Sequence, residues 1–142
     1  MAKWIFVIKD EETVFEKRIK SKTWPMFPGT KHQTEVKLGD MIIFYRGGNS
    51  GQIFLGTAKI VSELKSIPGK LDDVFEIDDI VLWKKHPSIR DMLPKLQFIK
   101  NKVHWGLSLQ GGILEPSKKD IELILDSAEK INAKKKKMMR PT

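Results

Sequence analysis

Apolar and polar positions follow one another along the chain in a pattern that predicts a sheet-rich fold. Residues 3–9 (KWIFVIK) form an apolar stretch rich in aromatic and β-branched side chains, which is typical of a buried strand. Similar stretches over residues 41–45, 52–63 and 74–83 predict three further strands. Segments containing glycine or proline separate these stretches, so we expect turns to join the strands.

Two segments have helical spacing, one near each end of the chain. Val14, Phe15 and Ile19 fall on one face of a predicted helix that begins at the cap residue Asp10 and ends near Ser21. Near the other end, a serine and an aspartate three residues apart resemble a capping box. That second helix is marked by the two cap residues and the apolar positions behind them: Ser117, Asp120, Ile121, Ile124, Leu125, Ala128 and Ile131.

The remaining segments carry weaker signals. Residues 23–34 contain two prolines and a glycine, which predicts a loop. Residues 88–96 are expected to be helical or irregular, and residues 98–99 and 103–109 are candidates for short strands. The order of these elements predicts an α+β fold, with a curved sheet or small β-barrel flanked by helices.

Length and charge predict one domain followed by a basic tail. A chain of 142 residues is the size of a single domain. Five basic residues among the last nine account for most of the net charge of +8: Lys134, Lys135, Lys136, Lys137 and Arg140. We therefore expect a domain over residues 1–131 and a disordered basic tail over residues 132–142. The basic surplus suggests a polyanionic partner.

Several function classes are disfavoured by composition. The chain has no cysteine, which excludes disulfides and thiolate metal sites. No apolar run approaches the roughly 20 residues that span a bilayer, and the N-terminus lacks the basic-then-apolar pattern of a secretory signal. We expect a cytoplasmic monomer without a membrane partner.

The residues that usually carry catalysis form no recognisable pattern. His32, His86 and His104 lack the spacing of a zinc-binding helix, and we expect no carboxylate cluster beside them. The glycine-rich segment at residues 46–51 (RGGNSG) joins two predicted strands, whereas a phosphate-binding loop opens a helix. We therefore expect neither enzymatic activity nor a metal ion or other cofactor.

The tryptophans and their basic neighbours favour a binding function. Trp4 and Trp83 lie in apolar strands and are expected in the core. Trp24 follows the first helix at a predicted junction with a loop, where a large aromatic is either a local plug or a stacking surface. Trp105 follows the basic stretch at residues 100–104 (KNKVH). Basic residues beside aromatics suit single-stranded nucleic acids, because phosphates attract cations and unpaired bases stack on aromatic rings.

Five blocks in order carry a resemblance to a known family. The fifth is similar to the signature L-x-F-I-x-N-K-x-x-W, and the third is similar to a strand that begins with Gly-Asp and ends in Tyr. The blocks are residues 3–9 (KWIFVIK), Trp24, residues 38–45 (LGDMIIFY), residues 55–63 (LGTAKIVSE) and residues 96–105 (LQFIKNKVHW). Over about residues 3–130, the chain resembles the EVE domain, a member of the PUA-like superfamily and a relative of the YTH domain.

The resemblance implies a PUA-like mixed barrel with a pocket for an extruded, often methylated base. YTH domains hold a methylated adenine in an aromatic cage, and EVE relatives are associated with modified cytosine in DNA and in some cases with RNA. Trp24 matches the first cage tryptophan and is followed by Pro25. Lys9, Asp10 and Glu11 match the polar end of the first strand, beside the pocket.

One position departs from the YTH pattern. Where YTH domains carry a second cage tryptophan, this chain has Asp79, and Trp83 lies four residues later. A carboxylate there could accept a hydrogen bond from an exocyclic amino group such as that of cytosine, or it could be a solvated strand residue. With Trp105, these residues complete the candidate pocket.

The partner implied is RNA or DNA carrying a modified base. Phosphate contacts would come from lysines and an arginine outside the pocket: Arg46, Lys84, Lys85, Lys100, Lys102, Lys134, Lys135, Lys136 and Lys137. Two alternatives stay open. The first is a PUA-like enzyme acting on a modified nucleoside, with Lys9 and Glu11 as candidate acid or base. The second is a protein-interaction module.

Overall fold

A computed structural model describes residues 2–9, 12–26, 29–48, 51–69, 72–100, 102 and 112–138, the side chains of Glu12 and of residues 134–138 excepted. Within these ranges the elements follow the order β1 (Lys3–Lys9), α1 (Glu12–Ser21), β2 (Thr23–Met26), β3 (Met41–Gly47), β4 (Ile53–Ile60), β5 (Lys65–Ser66), β6 (Asp73–Leu82), α2 (Ile89–Met92), a 3-10 turn (Leu93–Lys95), β7 (Ile113–Leu114) and α3 (Lys118–Met138).

The strands form one curled sheet with the order β2-β6-β4-β3-β1-β7, and β5 pairs with β6 beside this path. β1 and β3 are parallel, whereas the other neighbouring pairs are antiparallel. The predicted α+β class, with a curved mixed sheet flanked by helices, is therefore confirmed. The strands predicted over residues 3–9, 41–45, 52–63 and 74–83 correspond to β1, β3, β4 and β6.

Both faces of the sheet are buried, which explains the unbroken apolar run in β1. Alternate residues of β1 enter two different cores: Trp4, Phe6 and Ile8 on one side, Ile5 and Val7 on the other. We call the first side, which α1 covers with Phe15 and its neighbours, the inner core. The second side, which α2 and α3 cover, is the outer core. The largest fully buried side chains are Trp24, Phe6, Phe44 and Phe75 in the inner core and Tyr45 and Phe54 in the outer core.

β2 lies in a segment that the sequence predicted to be a loop. Its four residues pair antiparallel with β6, and Trp24 is opposite Phe75 while Pro25 is opposite Val74. Proline is tolerated because β2 is at the edge of the sheet, where its missing N–H interrupts no further pairing. Long-range pairing with β6 therefore overrides the local turn signal.

The N-terminal end of α3 confirms the predicted capping box. The Ser117 side chain accepts from the Asp120 N–H at 3.1 Å, and the Asp120 carboxylate accepts from the Ser117 N–H at 3.1 Å. α3 then continues to Met138, so residues 132–138 are helical where we expected a disordered tail. Lysine and alanine are good helix formers, and extending an existing helix needs no new nucleation.

The segment between α2 and α3 differs from the prediction at two points. Residues 98–99 form no strand, because the Phe98 N–H donates to the Asp120 carboxylate at 3.0 Å and is not available for strand pairing. β7 was not predicted, since its two residues pair with Ile5 and Phe6 and carry no local periodicity. The candidate strand at 103–109 lies outside the described residues.

Among the described residues, no helix combines the length and the apolar character that crossing a membrane requires.

Candidate base-binding site

Trp24 is the centre of an aromatic cluster in the inner core. Its side chain is only 1% exposed. Phe44 of β3 stacks on it with ring centroids 5.2 Å apart and an angle of 23°, and Phe15 of α1 meets it edge-on at 6.1 Å. Phe6 of β1 lies at 5.9 Å. Helix α1 and the strands β1 and β3 therefore fix the indole from several directions.

A charged side chain also covers this indole. The guanidinium carbon of Arg18, on α1, lies 4.6 Å from the centre of the Trp24 ring. Phe44 contacts the indole as a fixed strand residue. Arg18, by contrast, covers it with a long, half-buried side chain at the end of α1.

Sequence reasoning missed Arg18, although a local signal was present. Arg18 is three residues after Phe15 and four after Val14, so it falls on the apolar stripe of α1. Cations within such a stripe often lie over an aromatic ring, because the ring face attracts positive charge. The partner could not be read locally, because Trp24 comes from the next element.

Asp79 and Trp83, which we expected to line a pocket with Trp24, do not face it. The register of β4 and β6 puts two residues, Asp79 and Ile80, opposite the single residue Ala58. Asp79 is the extra residue: it is exposed, and its φ of 48° interrupts the strand. Its N–H donates to the Asp78 carboxylate at 3.0 Å.

This bulge also moves Trp83 away from Trp24. A one-residue insertion exchanges the two faces of a strand. Phe75 and Ile77 face the inner core, and after the bulge Ile80 packs on it, so Trp83 falls on the opposite side and packs on the outer core. The expectation that Trp83 joins a pocket with Trp24 is therefore wrong.

The polar residues at the ends of β1 and β3 lie on different sides of the sheet. Lys9 is exposed, is opposite Gly47, and by alternation follows Ile5 and Val7 on the outer-core side. Arg46 is half-buried and by alternation shares the side of Phe44. Its Nε is buried without a hydrogen-bond acceptor among the described residues. Asp10, Glu11 and Trp105 lie outside the described residues.

The predicted phosphate contacts divide into two groups. Lys84 and Lys85 are exposed in the loop after β6, which two hydrogen bonds join to α3: Lys85 N–H to Asn132 Oδ1 at 3.0 Å, and Asn132 Nδ2 to the Lys85 carbonyl at 3.1 Å. The backbone of α3 continues from there through Lys134, Lys135, Lys136 and Lys137. The loop after β6 is therefore joined to α3 at Asn132, just before the helix backbone enters the lysine run. Lys100 and Lys102 are exposed elsewhere, and the Lys102 ammonium donates to the Leu96 carbonyl.

Two side chains, those of Tyr45 and Asp78, have shifted pKa values, and both have structural roles. Burial in the outer core raises the pKa of Tyr45 to about 12, an effect that the nearby Arg90 charge partly offsets. Tyr45 therefore stays protonated near neutral pH and cannot act as a base. A hydrogen bond from Lys22 lowers the pKa of Asp78, and the two side chains form an exposed ion pair at 3.2 Å.

The expectation that no carboxylates accompany the histidines is wrong at His32. Its Nδ1 contacts Glu35 Oε2 and lies 3.8 Å from Glu115 Oε2. The loop after β2 supplies the first two residues, and the third directly follows β7. The sequence shows the i, i+3 spacing of His32 and Glu35, but Glu115 is 80 positions further along the chain than Glu35.

Comparison with known proteins gives a short sequence match and a long structural one. No family model matches the sequence. The UPF0310 protein in the gntR 5′ region of Bacillus licheniformis is 46% identical over 43 residues, which is 30% of this chain and 29% of that protein. The match therefore spans less than a third of this curated relative's length.

Solved structures align over most of the chain. Human THYN1, in complex with 5-methylcytosine-containing DNA, gives a TM-score of 0.67 at 13% identity, covering 91% of this chain and 98% of that one. The YTH domain of Zygosaccharomyces rouxii MRB1, in complex with N6-methyladenosine RNA, gives 0.60 at 18% identity, covering 89% and 86%. This chain has the PUA-like fold of the EVE and YTH domains. A Rhodopseudomonas palustris protein shares this EVE-like fold, with a TM-score of 0.66 at 14% identity over 90% of this chain and 93% of that one.

Proposed function

We propose that this chain binds a nucleic acid and reads one extruded, modified base on the Trp24 face that Arg18 covers. The observation that carries the proposal is the guanidinium lying 4.6 Å from the indole centre. A guanidinium is planar and stacks on aromatic rings much as a base does. The site therefore already holds a flat group in the place that a stacked base would take.

Exchange of Arg18 for a base is energetically feasible. A cation over an aromatic ring is stabilised by about 0.5–2 kcal/mol, and base–aromatic stacking by about 1–3 kcal/mol. The two energies are of similar size, so stacking of an incoming base can offset the loss of the contact between Arg18 and the ring. Extruding a base from a duplex costs a few kcal/mol more, which favours single-stranded or locally opened sites.

Phosphate contacts must supply the remaining affinity. Arg46 is the cation best suited to act beside the base, because it is half-buried and by alternation shares the inner-core side with Phe44. Its guanidinium would contact a phosphate of the nucleic-acid backbone.

The bound nucleic acids of two structural neighbours support a modified base as the target. Human THYN1 was solved with 5-methylcytosine-containing DNA, and the Zygosaccharomyces rouxii YTH domain was solved with N6-methyladenosine RNA. Asp79 does not face Trp24, but its exposed position next to Ile80, which packs on the inner core, would let its carboxylate meet the outer edge of a bound base. Such a group accepts from the exocyclic amino group of cytosine.

The test is a binding panel with a matched pair of variants. Fluorescence anisotropy is measured on single-stranded DNA and RNA carrying plain or methylated cytosine and adenine, with Arg18→Ala compared against Lys17→Ala. Both variants lose one positive charge from α1, and Lys17 is exposed. We expect wild type to prefer one modified oligonucleotide over its plain counterpart.

Because only Arg18→Ala uncovers the indole, we expect it to bind that oligonucleotide about two- to fivefold tighter than Lys17→Ala, the equivalent of roughly 0.5–1 kcal/mol. Equal affinities of the two variants would place the base elsewhere. Equal affinity of wild type for every oligonucleotide would contradict base reading altogether.

A further inference from the structure

Three ligand-type side chains converge near Trp4 of β1. His32, Glu35 and Glu115 each direct one nitrogen or oxygen atom into a region where all three atoms lie within 4.8 Å of one another. His32 Nδ1 contacts Glu35 Oε2 and is 3.8 Å from Glu115 Oε2. The histidine side chain is 17% exposed, and the two glutamates are 55% and 60% exposed.

Hydrogen bonding within the cluster does not neutralise its negative charge. Nδ1 of an imidazole carries at most one proton, so it can donate to one of the two carboxylates but not to both. Even a protonated histidine leaves one net negative charge among the three groups. Two carboxylates held this close together repel each other. A divalent cation among the three atoms would neutralise both carboxylates and use the lone pair of a neutral imidazole.

The scaffold holds the His32 ring and the backbone beside the two glutamates in place without a cation. The His32 ring packs on Trp4, with centroids 5.4 Å apart, and the Trp4 indole N–H donates to the buried Asp40 carboxylate at 3.0 Å. That carboxylate also accepts from the backbone N–H of Lys37 at 2.8 Å, which fixes the loop that carries His32 and Glu35. Glu115 is fixed by its position directly after β7, whose residues pair with β1.

We infer that His32, Glu35 and Glu115 bind one divalent transition-metal ion of the Zn²⁺ class, with water completing its coordination. One imidazole nitrogen and two carboxylate oxygens are a donor set that Zn²⁺ accepts. Mg²⁺ and Ca²⁺ prefer oxygen ligands and gain less from an imidazole. The ion would join the loop after β2 to the segment that leads into α3. This inference does not depend on the proposed base site.

The test is calorimetric titration of the full chain with ZnCl₂ after treatment with a chelator. We expect one Zn²⁺ per chain, and no comparable binding of Mg²⁺. Loss of a hydrogen-bonding partner of a metal ligand weakens metal binding about 10–100-fold, so loss of a ligand itself should weaken it at least tenfold. Glu35→Gln and Glu115→Gln test this directly, because both side chains are exposed and neither variant removes core packing.

Matched controls separate this site from adventitious binding. Glu122→Gln removes the same charge from an exposed position on α3, and His86→Ala removes an exposed histidine after β6. Both should bind Zn²⁺ like wild type. Zn²⁺ should also raise the thermal unfolding midpoint of wild type and of both controls by several degrees, but not that of His32→Ala, because a ligand that binds only the folded state stabilises it.

The inference fails if wild type and the Glu115→Gln variant bind Zn²⁺ with the same affinity, or if Zn²⁺ leaves the wild-type midpoint unchanged. It also fails if His86→Ala, rather than His32→Ala, abolishes binding. Circular dichroism of each variant shows whether the fold persists.

Discussion

At the scale of single residues, Trp24 has to serve two purposes. It is part of the inner core, where Phe44 stacks on it, and the proposed base site uses the face that Arg18 covers. The two purposes are compatible because that face is covered by a guanidinium, whereas Phe44 is an apolar core residue. A guanidinium on a long flexible stem can leave at modest cost, whereas an apolar core residue cannot.

The core role of Trp24 predicts a large effect of its removal on stability. We expect Trp24→Ala to lower the free energy of unfolding by about 3–5 kcal/mol, the usual cost of deleting a buried aromatic side chain. Trp24→Phe should cost less, because a phenyl ring can keep the stack on Phe44. The measurement is urea unfolding followed by circular dichroism. A loss below about 1 kcal/mol for Trp24→Ala would mean that the indole is not a core residue.

The sequence left the role of Trp24 open for a physical reason. Its burial depends on β2 pairing with β6, and that pairing joins residues about 50 positions apart. The local signal is the proline after the tryptophan, which is as typical of a loop as it is of an edge strand. The covering residue Arg18 lies on a neighbouring helix at a predictable spacing, but the ring it covers cannot be inferred from that spacing. Local patterns thus indicated the parts of the site and not their contacts.

At the scale of elements, the start of α3 shows where sequence patterns do suffice. Ser117 and Asp120 satisfy each other's backbone N–H groups as the capping-box pattern predicts. The same carboxylate also accepts from the N–H groups of Gln97 at 2.6 Å and Phe98 at 3.0 Å. The hydrogen bonds between Ser117 and Asp120 were predictable from the sequence. The hydrogen bonds to Gln97 and Phe98, which fix the segment after α2, were not.

Asp120 should therefore contribute more to the stability of the fold than an ordinary helix-capping residue does. It is 1% exposed, and its carboxylate accepts from three backbone N–H groups. We expect Asp120→Asn to lower the free energy of unfolding by about 2–4 kcal/mol, because an amide puts N–H groups against buried N–H donors. Ser117→Ala, which removes one cap bond, should cost about 1 kcal/mol.

Asp126→Asn, an exposed position on the same helix, is the control and should change little. Denaturant unfolding measures all three variants. If Asp120→Asn costs no more than Ser117→Ala, the contacts to Gln97 and Phe98 add nothing to stability.

The bulge in β6 is a second feature at this scale that local patterns did not reveal. Residues 74–83 were predicted as a continuous strand, which would have put Asp79 and Trp83 on the side of Trp24. The extra residue at Asp79 exchanges the faces, so that Ile80 continues the inner core and Trp83 packs on the outer core. Hydrophobic alternation is informative only while the strand register is unbroken.

At the scale of the whole molecule, the loop after β6 and the end of α3, which carry many of the lysines, lie on the other side of the sheet from the base site. Lys84 and Lys85 are joined to α3 through Asn132, on the outer-core side, and the helix continues from there through residues 134–137. Trp24 and Arg18 belong to the inner-core side. A nucleic acid that uses both regions would have to pass around the edge of the sheet. The end of α3 therefore should contribute affinity without sequence information.

The helical end of α3 makes a specific prediction for salt dependence. In an α-helix four consecutive residues point in directions 100° apart, so about two of the lysines at 134–137 can face one phosphate backbone. Each neutralised phosphate adds about 0.7–0.9 to the slope of log affinity against log salt. Removing residues 134–142 should lower that slope by about 1.4–1.8. A disordered tail engaging all five basic residues would lower it by up to about 4.

The affinity loss should be the same factor for modified and plain oligonucleotides, because phosphate contacts do not depend on the base. The control is the double variant Lys118→Ala/Lys119→Ala, which removes two exposed charges at the opposite end of α3 and should leave the slope unchanged. Anisotropy titrations at several salt concentrations measure both. A slope equal to that of wild type would exclude the end of α3 from the interface, and a loss confined to the modified oligonucleotide would place it next to the base.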